Sequence, residues 1–281
     1  MLDLPQLTVI MPVYNVEKYI GRALEALLNQ KNRNFKLLIV NDGSKDKTRQ
    51  IAESYSDKFL YFKLINKANE GVAAARNVAL AHVDTPYFTF HDGDDWVDPD
   101  YTDFFINSFK RYPHVSLISC GYWIDKEKQK KSRSIDPKRE SGHLTKKEAY
   151  FKIANVSTSP VKGYTWNKCY RLDVVRKHNI KFMGDIAFME DEVFNIEYVS
   201  LSDGVYFTSK PYYHYWQRPD SLIHVTSGLK YIPDNVRATY RVWHKILKSL
   251  RHEKRKLEEK CLTRLRIINN LDLAIREKNE S

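Results

Sequence analysis

Two hydrophobic periodicities alternate along the first hundred residues of the chain. Short continuous apolar runs predict buried strands, and apolar residues at three- and four-residue spacing predict amphipathic helices. The predicted strands are LTVIMPVY, FKLLIV, LYFKLI and PYFTF, and the helices between them cover Glu17–Gln30, the residues around Ile51 to Tyr55, and Gly71–His82. Strands that alternate with helices of this length indicate an α/β fold with a mostly parallel, Rossmann-like sheet and helices on both faces.

Parallel sheets bind ligands where their strands reach the carboxyl ends. By that rule, residues 12–15, 41–44 and 91–95 should line one crevice, because each segment comes at the end of a predicted strand. Asn15 also stands just before the first helical pattern, where a short polar side chain favours an N-cap. We therefore expect Asn15 to cap the first helix beside the crevice.

The pattern becomes less regular after Asp100. It predicts a helix over Asp100–Lys110, a strand in VSLISCGYW, a polar loop in KEKQKKSRSIDPKRES, a helix from Thr145, a strand end near WNKCYR, a helix in MEDEVFNIEYVS, an extended aromatic segment in YFTSKPYYHYWQRP, and helical structure from about Tyr231 onward. We divide the chain accordingly into residues 1–100 and 101–229, the two halves of one domain, and a helical extension over 230–281.

Composition narrows the class of protein. Of the 281 residues, 42% are hydrophobic, which is enough for a large core and too many for a disordered protein. No apolar run reaches the roughly 18–20 residues of a membrane span, and the N-terminus lacks the pattern of a signal peptide. The three cysteines, Cys120, Cys169 and Cys261, form no CxxC pair. That spacing favours reduced thiols in a cytoplasmic protein over a disulfide framework or a zinc site.

The formal net charge of +11 is concentrated in two segments. Residues 126–139 hold seven Lys or Arg and two acids, and residues 230–281 hold fourteen and seven, so the rest of the chain is close to neutral. Peripheral positive charge suits an anionic membrane surface or an acidic partner. Three interpretations of the extension stay open: a solvated helical hairpin packed on the body, a homo-oligomer formed through its apolar stripe, or peripheral docking at the inner face of a membrane.

The segment FHDGDDWVDPD places five carboxylates within eleven residues, directly after a predicted strand. Crowded carboxylates repel one another and raise each other's pKa, so we expect a cation among them. Asp92, Asp94 and Asp95 are the candidate ligands, because hard divalent metals prefer oxygen donors. The alternative is an acidic turn in which Asp95 or Asp98 caps the following helix.

Four further residues carry chemistry that the pattern alone leaves open. Asp42 stands at a strand end and fits either an Asx turn or a hydrogen-bond acceptor for a nucleobase. Arg76 lies in a helix of small residues, where an arginine is commonly solvated or ion-paired. Glu190 and Asp191 fit either a general base in an apolar setting or acids favoured at a helix N-terminus.

The order of these segments resembles the inverting family 2 glycosyltransferases of the GT-A fold, especially bacterial members that build capsule, cell-wall or glycoprotein glycans. The resemblance rests on TVIMPVYN, VNDGSKDKT, NEGVAAARN, HDGDD, WNKCYR, MEDEVF and YYHYWQRPDSLIH, which extend from about Leu7 to His224. It implies transfer of a sugar from a nucleotide-sugar donor, such as a UDP-sugar, to a hydroxyl of a glycan, glycoprotein or lipid-linked acceptor. It also implies Mn²⁺ or Mg²⁺ as the cofactor.

The resemblance further implies a role for each matching position. Asp191 would be the catalytic base, with Glu190 as its neighbour. The other implied sites are the nucleotide-sugar pocket (Pro12, Tyr14, Asn15, Asp42, Arg76, Asp92, Arg218 and Ser221), the metal site (Asp92, Asp94 and Asp95) and the acceptor side (Trp166, Asn167 and Lys168).

Other classes of protein fit the residues less well. A sugar nucleotidyltransferase would show a glycine-rich basic loop after the first strand, which MPVYNVEKY lacks. A basic nucleic-acid-binding module would present positive charge along its crevice, whereas the predicted crevice is acidic, so nucleic acid is not an expected partner. A catalytically inactive, glycosyltransferase-like assembly subunit is disfavoured because Asp92, Asp94, Asp95 and Asp191 are all present.

Overall fold

Ten strands form one sheet in this computed structural model, which describes residues 4–126, 133–134, 140–154, 161–185, 189–218, 238–252 and 255. Their order across the sheet is β3-β2-β1-β4-β9-β6-β10-β5, with β7 paired to β6 and β8 paired to β10. The strands are β1 (Leu7–Val13), β2 (Lys36–Asp42), β3 (Tyr61–Lys67), β4 (Tyr87–Phe90), β5 (Trp96–Val97), β6 (Leu117–Lys126), β7 (Arg133–Ser134), β8 (Ser141–Leu144), β9 (Lys168–Arg171) and β10 (Val205–Gln217).

The amino-terminal half of the sheet is parallel. β1 pairs in parallel with β2 and β4, and β2 pairs in parallel with β3. β9 runs antiparallel between β4 and β6 and so joins this half to the parallel pair of β6 and β10. The four strands predicted in the first hundred residues are all present, and the predicted α/β fold with a mostly parallel sheet is confirmed.

Helices cover both faces of the sheet because its strands are apolar on both sides. In β1, Ile10 joins one core cluster while Val9 and Met11 join the other, as the two-residue period of a strand requires. One face packs on α1 (Ile20–Leu28), α2 (Thr48–Glu53) and α4 (Tyr101–Arg111). The opposite face packs on α3 (Val72–His82), α5 (Lys146–Ile153), α6 (Leu172–His178), α7 (Glu190–Leu201) and α8 (238–252).

The start of α1 corrects one prediction. The helix begins at Ile20 rather than Glu17, and its N-cap is Tyr19, which makes no side-chain capping bond. Asn15 lies outside the helix in the left-handed region, with φ of 50°. Its Oδ1 accepts a hydrogen bond from the backbone N–H of Lys45 at 2.9 Å. The predicted N-cap role of Asn15 was wrong because this side chain fixes the loop after β2 instead.

The described part of the C-terminal extension is α8, which packs on the body. Its inward residues Ala238, Val242 and Ile246 are buried in the same core cluster as α7. The packed-helix interpretation therefore holds for 238–252, while the second predicted stripe, from Leu257 onward, lies outside the described residues. Among the helices that the structure describes, none is long and apolar enough to cross a membrane.

Candidate active site

The loops that follow β1, β2 and β4 meet at one edge of the sheet, as predicted. The backbone N–H of Asn15 donates to Ser44 Oγ at 3.1 Å, which joins the first two loops. Gly93, in the third loop, lies against the side chain of Val13. A Cβ atom at Gly93 would come within 2.8 Å of Val13 Cγ1, so only glycine permits this approach. These contacts bring the loops together at the carboxyl ends of the strands, where the sequence predicts a crevice.

Asp42 is buried at the end of β2, and its carboxylate holds the loop before α3. Oδ1 accepts from Lys67 Nζ at 2.7 Å and from the backbone N–H of Glu70 at 3.1 Å. Oδ2 accepts from the backbone N–H of Gly71 at 2.8 Å, and Gly71 adopts a φ of 91° that favours glycine. Asp42 therefore shapes the crevice without capping α2, and its role toward a nucleobase stays a prediction.

The three acids after β4 lie in two different environments. Asp95 is buried, and its two oxygens accept hydrogen bonds from Tyr213 Oη and from the backbone N–H of Trp216, each at 2.7 Å. These bonds hold β10 against the acidic loop, so the carboxylate of Asp95 is already used. The side chains of Asp92 and Asp94 are 30% and 19% exposed. Asp92 and Asp94 are therefore the more accessible of the predicted metal ligands, and the role of all three stays a prediction.

Arg76 is the centre of a buried cluster of ion pairs. Its Nη1 donates to Glu190 Oε1 at 2.9 Å and also to Asp191 Oδ1. Its Nη2 lies 3.9 Å from Asp92 Oδ1. The guanidinium is 4% exposed and lies over the ring of Phe182 at 5.2 Å. Arg76 therefore links Asp92, which follows β4, to the two acids that begin α7. Glu190 and Asp191 lie 114 and 115 positions after Arg76 in the sequence.

Burial and charge act against each other in this cluster. Burial acts to lower the pKa of Arg76, but Asp191, Glu190 and Asp92 outweigh it, so the pKa is raised and the positive charge is permanent. Loss of hydration raises the pKa of Glu190 to about 7, with Asp191 acting in the same direction and Arg76 against it. The pKa of Asp92 is raised to about 7 by the same loss of hydration.

Asp191 is held in one orientation at the first turn of α7. Its Oδ2 accepts from the backbone N–H of Thr165 at 3.3 Å and from Thr165 Oγ1 at 3.1 Å, while Oδ1 faces Arg76. The N-cap of α7 is Met189, in the left-handed region with φ of 67°. The helix N-terminus favours negative charge at this position. A carboxylate oriented in this way at the edge of a crevice can accept a proton from a bound hydroxyl.

The charges at the crevice fit a divalent cation. In the described part of the chain, two cations form ion pairs with four carboxylates: Arg76 with Asp92, Glu190 and Asp191, and Arg218, whose Nε lies 3.0 Å from Asp94 Oδ2. Asp92 and Asp94 offer the oxygen donors that Mn²⁺ and Mg²⁺ prefer.

These two carboxylates would be only part of a coordination shell. No group of three or more His, Cys, Asp or Glu among the described residues is arranged to hold a metal by itself. Magnesium usually keeps several waters and binds through one or two carboxylates together with substrate phosphates. The donor set therefore fits an ion that binds together with a diphosphate.

The residues predicted on the acceptor side are buried beneath the crevice. Trp166, Asn167 and Lys168 are 3%, 0% and 0% exposed. Asn167 Nδ2 donates to the carbonyl of Cys120 at 2.8 Å, and Lys168 Nζ donates to the carbonyl of Tyr164 at 2.6 Å. Burial lowers the pKa of Lys168 to about 7. These side chains support the neighbouring backbone, and their part in forming the acceptor side stays a prediction.

Three residues in the site were missed by sequence reasoning. Thr165 orients Asp191, and Tyr213 Oη accepts from the backbone N–H of Asp92 at 3.1 Å. Arg22 Nη2 donates to the carbonyl of Asp94 at 2.8 Å, with its guanidinium 3.8 Å from the ring centroid of Trp96. Thr165 and Tyr213 lie next to or within segments that drew attention, whereas Arg22 carries no sequence signal. Ser221 lies outside the described residues.

One sequence relative and two solved structures resemble this chain. The Bacillus subtilis (strain 168) protein EpsH is 32% identical over 216 residues, covering 76% of this chain and 61% of EpsH. The crystal structure of S. aureus TarS 1–349 in complex with UDP-GlcNAc has a TM-score of 0.64 and 25% identity, covering 79% of this chain and 61% of that chain. A Pyrobaculum calidifontis mannosyltransferase, PcManGT, shares the fold with a TM-score of 0.60 at 18% identity, covering 87% of this chain and 65% of that chain.

The chain spans about three fifths of EpsH and of the TarS fragment. Residues 8–172 match the family model described as "Glycosyl transferase family 2". This match covers more than half of the chain and includes the loops after β1, β2 and β4. The family resemblance drawn from the sequence is thereby confirmed, and the chain belongs to glycosyl transferase family 2.

Proposed function

We propose that this chain is a metal-dependent, inverting glycosyltransferase that moves a sugar from a UDP-sugar to a hydroxyl of a glycan, glycoprotein or lipid-linked acceptor. The observation that carries the proposal is the ion-pair cluster in which Arg76 joins Asp92 to Asp191. In this proposal Asp92 binds the donor and Asp191 is the base, and their shared pairing with Arg76 supports a site for transfer between two bound substrates.

The donor half of the proposed site is formed by the loops after β1, β2 and β4. Tyr14 is 44% exposed at the end of β1, where a planar base could stack, and Pro12 and Asp42 are buried and fix the adjacent walls. Asp92 and Asp94 would hold Mn²⁺ or Mg²⁺, which when bound neutralises the leaving diphosphate. The complex of TarS with UDP-GlcNAc supports a uridine nucleotide in the related fold.

The acceptor half of the proposed site centres on Asp191. Its carboxylate would accept the proton of the acceptor hydroxyl while the oxygen attacks the anomeric carbon from the side opposite the diphosphate. Thr165 and Arg76 fix the direction of the carboxylate, so little reorganisation is needed at the moment of attack. An in-line displacement of this kind inverts the anomeric centre.

We also propose a cytoplasmic location. Cys120 and Cys169 are free thiols, both buried near the middle of the sheet. Burial raises the pKa of the Cys120 thiol to about 12, which keeps it protonated and inert. Unpaired buried cysteines are typical of proteins in reducing compartments, which supports this part of the proposal.

Calorimetric titration of UDP into the protein tests the donor site. We expect binding in the presence of Mn²⁺ that weakens with EDTA and in Asp94→Ala, because the diphosphate then loses its neutralising cation. Asp100→Ala is the matched control, since Asp100 lies in the same acidic segment but pairs with the exposed Lys31. Equal binding with Mn²⁺ and with EDTA would contradict the metal role. Absence of binding in both would contradict UDP as the nucleotide.

A further inference from the structure

The outer face of α8 exposes large apolar side chains that the proposed reaction does not use. Tyr240, Trp243 and Leu247 are 68%, 44% and 51% exposed. They recur at three- and four-residue spacing and so form one stripe along the helix. The inward residues of α8 fill the core, so the exposed stripe is not needed to hold the helix on the body.

Positive charge lies beside this stripe. Within 238–252, the helix carries four Lys or Arg and no acid. The cations that face the body are neutralised there: Arg241 pairs with Asp185 at 2.7 Å and Lys245 pairs with Glu197 at 2.6 Å. Lys248 and Arg251 are exposed and form no ion pair with any described residue. The outer face therefore combines exposed apolar side chains with exposed cations.

This combination matches the chemistry of an anionic bilayer surface. Tyrosine and tryptophan rings are amphipathic and are enriched at membrane–water interfaces. Lysine and arginine near such a surface are attracted by anionic headgroups. A second copy of the chain is a poorer occupant, because a two-fold contact pairs this face with itself, and its charged side chains within 238–252 are all cations. Charge complementarity thus favours an anionic bilayer over a second copy of the chain as the occupant of this face.

We propose that the outer face of α8, formed by Tyr240, Trp243, Leu247, Lys248 and Arg251, docks the protein on a bilayer that contains anionic phospholipid. This goes beyond the proposed transfer reaction, because it assigns a surface and a place of action. α8 is ion-paired to α7 through Lys245 and Glu197. The docking face is thus carried on the same packed unit as the candidate base at the start of α7.

Vesicle co-sedimentation of the whole chain tests the proposal without any turnover. We expect binding to vesicles of phosphatidylcholine with phosphatidylglycerol, and little to phosphatidylcholine alone. Replacing Lys248 or Arg251 by Ser should weaken binding about fivefold each, the equivalent of about 1 kcal/mol per cation. Trp243→Ser/Leu247→Ser should weaken it further, while Leu60→Ser is the matched control, because Leu60 is 55% exposed on the β2–β3 side of the molecule.

Two kinds of result would overturn the proposal. One is equal binding to both kinds of vesicle, or binding that the α8 substitutions leave unchanged while circular dichroism shows that the variants are folded. The other is a dimer, measured by light scattering, that Trp243→Ser/Leu247→Ser converts to monomer, since this would assign the face to a second copy of the chain.

Discussion

The role of Arg76 depends on its surroundings in the folded protein, which the sequence around it does not reveal. On a helix of small residues it could be a solvated arginine or a donor contact, and the family resemblance favours the donor. In the structure it is enclosed, with Glu190, Asp191 and Asp92 as partners. Its clearest task is therefore to position the candidate base, and direct contact with donor phosphates stays a prediction.

Replacing Arg76 should reveal the charge that it balances. In Arg76→Met three carboxylates lose their common partner, and breaking a buried ion pair from one side costs about 3–5 kcal/mol of unfolding free energy. Urea denaturation of wild type and variant measures this difference. Arg49→Met is the control, because Arg49 pairs with Glu53 on the exposed surface of α2 and such pairs contribute about 0–1 kcal/mol. Similar losses in both variants would contradict the central role of Arg76.

Asp191→Asn should separate chemistry from donor binding. The amide keeps the shape of the carboxylate but cannot accept a proton, so we expect kcat to fall by about 10²–10⁴ with UDP affinity little changed. Sugar transfer and UDP titration on the same preparation measure both. Asp173→Asn provides the comparison, since Asp173 occupies the first turn of α6 with its side chain 71% exposed. An unchanged kcat in Asp191→Asn would remove Asp191 as the base.

At the level of elements, the side chain of His214 on β10 adds contacts to the strands and loop beside it. His214 Nδ1 lies 2.8 Å from Asp125 Oδ2 on β6, and Nε2 lies 3.3 Å from Asp98 Oδ1. Its ring stacks on Trp96 of β5 with centroids 4.9 Å apart. β10 also carries Tyr213, which binds the acidic loop, so the fastening of this strand supports the site.

The histidine gives this fastening a pH dependence. Burial acts to lower the pKa of His214, but hydrogen bonds to Asp98 and Asp125 outweigh it, so the pKa is raised above its usual 6.5. A raised pKa means that the folded state binds the proton more tightly, so this stability is complete below pH 6.5 and is lost as the pH rises through the folded value.

We therefore expect His214→Gln to lower the free energy of unfolding most below pH 6.5, and less as the pH rises. Denaturation at a series of pH values measures the difference from wild type. His114→Gln is the control, because His114 is exposed in the turn after α4. A difference between His214→Gln and wild type that is constant across this range, or that grows with pH, would show that the histidine acts through packing alone.

Across the whole molecule, local pattern predicted most elements, including four-residue β4 and a strand end at β9, and missed α6 and β5. β1, β2 and β4 are buried on both faces, so each appears as a continuous apolar run, and α3 and α7 have clear boundaries. β9 has four residues and passes into α6 without a turn, so no change of period separates them. β5 has only two residues and exists because β10 pairs with it.

The candidate site shows the same limit of prediction from local sequence pattern. Motif order predicted Asp92, Asp94 and Asp191 as site residues, and strand ends and a helix start place them at one edge of the sheet. It could not show that Asp95 turns inward, because its partners, Tyr213 and the backbone of Trp216, lie more than a hundred residues away. The burial of Trp166, Asn167 and Lys168 likewise depends on how β9 sits between β4 and β6, which no local pattern encodes.

The ion pair between Arg218 and Asp94 has a consequence for the order in which substrates arrive. In the proposed site, a metal ion that comes alone would have to displace Arg218 from Asp94. A metal ion that comes with a nucleotide diphosphate supplies new anionic partners for Arg218 at the same moment. In the proposed site, Arg218 would exchange one counterion for another, and the metal–nucleotide complex would bind as a single ligand.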